Sequence, residues 1–218
     1  MTEKSKAVGN PVADIKSRID NPTLLAQRRD QLVQVTTHLF ENQGFDATSV
    51  EDVAGQVGLT VGAIYRYIGR KEDLLVLILE DLMERYESSI AKALAGKSDP
   101  LDRLQSALTG YYRVIDAEGR KVLIAYRESK HLTDDGREWL KRRELETNRI
   151  FERIIADGIE VGVFQPVDHT LVTYNIIMLG HAWALKYWFF RDRMTIDEYI
   201  EKQSEWLFRD VIRPQAAH

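Results

Sequence analysis

Between Gly58 and Lys71 the chain reads GLTVGAIYRYIGRK, a stretch with no acidic residue. Thr60, Val61, Gly62, Ala63, Tyr65, Arg66, Tyr67 and Lys71 are the residue types that a nucleic-acid surface meets. Hydroxyls and cations suit phosphate oxygens, and small residues let a backbone approach base edges. This is recognition chemistry, without bond making. The usual parts of covalent catalysis are missing elsewhere too. There is no cysteine, so neither a thiolate nucleophile nor a thiolate zinc site can form. The histidines at 38, 131, 169, 181 and 218 show no HExxH or other metal-ligand spacing, and no GxSxG or phosphate-binding glycine loop occurs. No catalytic residue, metal or cofactor is therefore expected, although a His–carboxylate pair assembled from distant segments stays open.

A length of 218 residues suits one or two domains with a sizeable core. The formal net charge of −4 excludes a generally basic coat, so contact with an anion must come from a local patch. The start, MTEKSKAVGNPVADIKSRID, has no apolar signal segment. The most apolar runs, LLVLIL and YNIIMLGHAWALKYWFF, fall short of the ~20 residues that span a bilayer. A cytoplasmic protein without membrane contact is expected.

Those candidate contacts must sit on helices, because the hydrophobic period is helical nearly throughout. Leu32, Val33, Thr36, Leu39 and Phe40 form one stripe of a helix from about Leu24 to Gln43, ended by Gly44 as a left-handed cap. Thr48 to Glu51 has the form of a capping box that starts a short helix with Val50, Val53, Ala54 and Val57 on its apolar face. Gly58 breaks it, Thr60 caps the next helix to about Ile68, and a longer one runs from Lys71 to about Ala95. GKSDP, ending at Pro100, is the clearest joint in the chain. Beyond it lie a fifth helix marked by Leu101 to Ile115 and a shorter sixth marked by Val122 to Tyr126. A seventh runs from about Trp139 to Ile155, interrupted after it by Gly158, Gly162 and Pro166. An eighth spans Asp168 to about Phe190, and a second capping box, Thr195 to Glu198, opens a ninth that closes near Pro214. The fold class is all-α, about nine helices, with a loosely ordered segment over residues 1–23.

The two short helices around Gly58 have the spacing of a helix-turn-helix, over about residues 49–68. Ala54 is small where the helices approach, Gly58 supplies a positive φ, and Ile64 returns an apolar side chain to the gap. Such a pair puts the start of its second helix into the DNA major groove. Thr48 and the amides beside it form a second seat for phosphate.

The stretch from about Leu25 to Leu79 resembles the DNA-binding domain of the TetR family of bacterial transcriptional regulators. The resemblance is carried by LFENQGFDATSVEDVAGQVGLTVGAIYRYIGRKEDLL, in particular Phe40, Gly44-Phe45, Thr48-Ser49-Val50, Val53-Ala54, Gly58, Thr60, Gly62, Ile64-Tyr65 and Lys71-Asp73-Leu74. It implies a DNA-binding domain over residues 24–86, and a ligand-binding and dimerisation domain over residues 87–218. It further implies a homodimer on a palindromic double-stranded operator, released by a small effector. Carried over by position, Thr48, Thr60, Val61, Gly62, Ala63, Tyr65, Arg66, Tyr67 and Lys71 are the DNA contacts. The chain departs from the pattern twice: Arg66-Tyr67 stands where many members have Tyr-His, and Gly69 where a capping Ser, Pro or Lys is frequent.

In the second region, Trp183, Trp188, Phe189, Phe190 and Trp206 make the last two helices apolar on more than one face, as burial by both a pocket and a partner subunit requires. The groups that could orient a ligand in a mostly apolar cavity are Tyr111, Tyr112, Tyr126, Arg127, Asn175, Met178 and His181. YRESKHL and GHAWALKYWFFRD are similar to segments of members that sense acyl-CoA thioesters, which implies an acyl-CoA effector, with Arg127 as partner for its charge. A helical enzyme, or an adaptor without sequence-specific DNA binding, remains the alternative.

Overall fold

The computed structural model describes residues 11–15 and 21–212, and all regular structure among them is helical. The expectation for residues 1–23 lies largely outside the described residues, as does the closure of the last helix at Pro214. A short turn of helix, α1 (Pro11–Asp14), precedes α2 (Pro22–Ala47). Asn21 caps α2 by accepting from the amides of Thr23 and Leu24, and Pro22 stands at the first position, where no amide bond is lost. The remaining helices are α3 (Val50–Val57), α4 (Val61–Ile64), α5 (Lys71–Leu94), α6 (Pro100–Ala117) and α7 (Gly119–Glu128). A 3-10 turn (Ser129–His131) leads to α8 (Asp134–Glu160), followed by α9 (His169–Leu185), α10 (Tyr187–Phe190), α11 (Ile196–Trp206) and a π-helical turn (Leu207–Ile212).

The chain packs as two units. One comprises residues up to Leu82 together with Leu123–Arg143, and the other Met83–Val122 together with Glu144 onward. The sequence suggests a single division near residue 86, whereas packing divides the chain three times, inside α5, α7 and α8.

In the first unit, Leu32, Val33, Leu39 and Phe40 of α2 are buried, as are Val50, Val53 and Ala54 of α3 and Ile64 of α4. Leu74, Leu75, Ile78 and Leu79 of α5 are equally buried. Each of these side chains larger than alanine contributes roughly 1.5–3 kcal/mol when fully withdrawn from water. Gly44 has the positive φ expected of it, but its ψ of 171° is not left-handed helical. It kinks α2, and the chain then makes one further turn through Phe45 to Ala47.

In the second unit α6 and α9 meet closely at Gly180. A Cβ there would lie 2.8 Å from both Ile115 Cδ1 and Tyr112 Cε1, so only glycine admits this approach. Two polar groups in the interface are paired: the Tyr112 hydroxyl donates to the Ile176 carbonyl at 2.8 Å, and Trp183 Nε1 donates to Asp116 at 2.8 Å. Gly158 does not interrupt its helix. It lies inside α8, and the Phe164 ring covers it where a side chain would stand. The expected single helix to Phe190 is likewise two, since the backbone leaves α geometry at Lys186 (φ −120°, ψ 27°) before α10 begins.

Candidate nucleic-acid interface

Ser49, not Thr48, caps α3. The Ser49 hydroxyl accepts from the Asp52 amide at 3.0 Å, and the Asp52 carboxylate accepts from the Ser49 amide at 2.8 Å. Those bonds from Ser49 hold the exposed Asp52 carboxyl below its ordinary range. The box is displaced by one residue because Thr48 turns inward: it is 1% exposed, and its hydroxyl donates to the Gly44 carbonyl at 2.8 Å. Thr48 is therefore corrected from a DNA contact to a strut that ties the kinked end of α2 to the start of α3.

At the other end of α3, Gly58 adopts the left-handed conformation (φ 68°, ψ 32°), and the Leu59 amide donates back to Ala54 at 2.9 Å. Thr60 caps α4, accepting from the Ala63 amide at 3.2 Å. Helical geometry ends after Ile64, with a turn through Tyr67 in place of the longer helix expected. Within that turn Ile64 and Ile68 are buried, while Thr60, Gly62, Tyr65 and Arg66 are exposed and Val61 and Ala63 half-buried. The outer surface is thus small and backbone-rich at Gly62, flanked by a phenol and a guanidinium. Tyr67 does not share it. At 6% exposure it is a core residue, and it is withdrawn from the contact set.

The missing cap at Gly69 is supplied from within α5. The Asp73 carboxylate accepts from the Gly69 amide at 2.7 Å and the Arg70 amide at 3.2 Å, and pairs with Arg70 Nε at 3.3 Å. Lys71, at the first position of α5, is half-buried: its Nζ donates to the Asp46 carbonyl at 3.3 Å and stands 4.3 Å from the centre of the Phe45 ring.

The residues expected to orient a ligand separate into three places. Tyr111, Tyr112 and His181 lie together in the second unit, with Tyr111 Oη 2.8 Å from His181 Nε2 and Phe151 packed edge-on to Tyr111. Burial pushes the His181 imidazole down to about 4 and the Tyr112 phenol well up, so both are neutral near pH 7. Asn175 and Met178 are instead exposed on α9, in a row with Leu171 and Tyr174. Tyr126 and Arg127 belong to the first unit, where Arg127 is exposed and Nη2 donates to the Phe40 carbonyl at 3.3 Å. Nothing in the sequence signals that His131 meets Phe45 and Asp46, since it is brought to them only in three dimensions.

The family model described as bacterial regulatory proteins, tetR family, matches residues 32–78, and the model of the tetracyclin repressor-like C-terminal domain matches residues 97–211. The chain belongs to the TetR family. The HTH-type transcriptional regulator HbdR of Aromatoleum sp. (strain CIB) is 37% identical over 188 residues, 86% of this chain and 82% of that protein. The HTH-type transcriptional repressor KstR2 of Mycolicibacterium smegmatis is 26% identical over 171 residues, 78% of this chain and 83% of that one. The structure of AibR in complex with isovaleryl coenzyme A and operator DNA shares the fold, with a TM-score of 0.71 at 22% identity over 83% of this chain and 98% of that one. This TetR-family chain is a helix-turn-helix transcriptional regulator, and its family is one of regulators rather than enzymes. No described helix is long and apolar enough to cross a membrane.

Proposed function

We propose that the chain is a repressor that binds a palindromic operator as a homodimer in the cytoplasm and releases it when a small, mostly apolar effector binds. The observation that carries the DNA reading is the exposed surface of Gly62 on α4 and of Tyr65 and Arg66 in the turn after it, the second half of a capped, glycine-turned helix pair. Thr60, Val61, Gly62, Ala63, Tyr65 and Arg66 are the groove-side set, and Lys71 is a phosphate contact.

A second copy is the partner that the outer face of α9 fits. Leu171, Tyr174 and Met178, spaced by three and four residues, are exposed apolar side chains on a helix whose opposite side is already buried.

For the effector, the Tyr111–His181 pair offers hydrogen bonds without charge, which suits a neutral carbonyl in an apolar molecule better than a carboxylate. An acyl-CoA thioester meets that description, and AibR, similar in fold, is seen with isovaleryl coenzyme A. Arg127, engaged with α2, is not assigned to the effector. The test is selection of binding sites from random duplex DNA with the purified protein, followed by titration of acyl-CoAs and matched free acids against the bound duplex. Displacement by thioesters alone supports the full reading. Displacement by neither leaves the effector class refuted and the DNA reading standing.

A further inference from the structure

The Phe45 ring is packed against His131 and Lys71. The His131 imidazole stacks on it with centroids 4.3 Å apart and planes inclined by 18°. The Lys71 ammonium stands 4.3 Å from the same centroid. Both groups therefore pack against the same ring at van der Waals distance. Phe40 closes the edge at 5.3 Å. His131 Nε2 lies 3.5 Å from the Glu128 carboxylate and 3.7 Å from that of Asp46, near both but hydrogen-bonded to neither. Asp46 therefore approaches both groups, its carboxylate facing His131 and its carbonyl accepting from Lys71 Nζ.

We infer that His131 is a positioning residue for DNA binding: through the Phe45 ring it holds Lys71 where a backbone phosphate will lie. This rests on the reading of Lys71 as a phosphate contact. A lysine carries four flexible carbons and three donor hydrogens. Here one donor is committed to Asp46 and the stem is laid along an aromatic face, so less conformational freedom is lost when a phosphate arrives. The support comes from a residue sixty positions along the chain, in the 3-10 turn after α7. Phe45 directly follows the kink at Gly44 (φ 80°).

The experiment measures affinity for a duplex recovered by selection with the wild-type protein, across a salt series. Lys71→Ala should lower the slope of log affinity against log salt by ~1, the loss of one phosphate contact. His131→Ala should lower it equally, with about a tenfold loss of affinity at low salt, and should add nothing in a Lys71→Ala background. His131→Phe, which keeps a flat ring, should restore the slope. Phe45→Leu, which keeps an apolar side chain and removes the ring, should behave like His131→Ala and covers the case in which that variant folds poorly. A His131→Ala protein with the wild-type slope, or with an equal further loss in the Lys71→Ala background, overturns the inference while the DNA reading stands. A wild-type protein that recovers no duplex overturns that reading, and this inference with it.

Discussion

The Tyr111 hydroxyl and His181 Nε2 lie 2.8 Å apart in the second unit, and the pair is neutral near pH 7. The imidazole is neutral because burial disfavours its protonated form, and that has consequences for stability as well as for binding.

Burial takes the folded His181 from its ordinary 6.5 to about 4. Between those values the unfolded chain binds a proton that the folded chain refuses, so stability rises with pH and is lost on acidification through that window. The loss from this group is on the order of 3 kcal/mol once pH falls below both values. Urea unfolding from pH 7 to pH 4.5 should show the decline, and His181→Gln should flatten it. An unchanged pH profile in that variant would show that His181 is not the source.

Effector recognition should depend on the same pair. Tyr111→Phe removes one neutral hydrogen-bonding group and should weaken a thioester by about tenfold, while operator affinity without effector stays as it was. Calorimetry on the free protein reads the first quantity and duplex binding the second. Equal binding of the effector by wild type and variant would remove Tyr111 from the site.

Gly58 separates backbone geometry from space. No atom lies within 4 Å of a Cβ built there, yet its φ is +68°. Gly58→Asn should therefore cost little, whereas Gly58→Val should cost about 1–3 kcal/mol through strain and displace α4. Chemical denaturation and duplex affinity of the two variants should diverge; equal behaviour would mean that the turn tolerates any side chain.

Gly62 presents the reverse case. A Cβ there meets nothing within 4 Å and the backbone is not left-handed, so nothing inside the chain demands glycine. Gly62→Ala should leave folding intact, or stabilise it by up to about 1 kcal/mol, because alanine is the better helix former. Duplex affinity should nevertheless fall, since the added methyl stands where base edges must come close. Unimpaired binding would place the groove contact elsewhere.

Much of this was legible in the sequence, and the exceptions share a cause. Periodicity marks the stripe from Leu32 to Phe40, and spacing marks Ala54, Gly58 and Ile64, because each is a local property of a helix or turn. Thr48 and Ser49 could each cap α3 by residue type. Which one does so depends on the Gly44 kink that draws Thr48 inward. By residue type Tyr67 could serve equally as a contact beside Arg66 or as packing between helices, and the turn after Ile64 places it in the core. Gly158 reads as a breaker by residue type, yet it lies inside α8 with Phe164 filling its side. The His131–Phe45–Lys71 stack joins three distant segments, and no local pattern announces it.

The central claim is that the turn from Thr60 to Arg66 reads DNA sequence. It is tested most directly by measuring, at one salt concentration, the affinity of the purified protein for its selected duplex and for the same duplex with both half-sites scrambled. The account predicts a preference of about a thousandfold or more for the selected duplex, the range in which specific binding exceeds non-specific binding. Equal affinity for the two would contradict it.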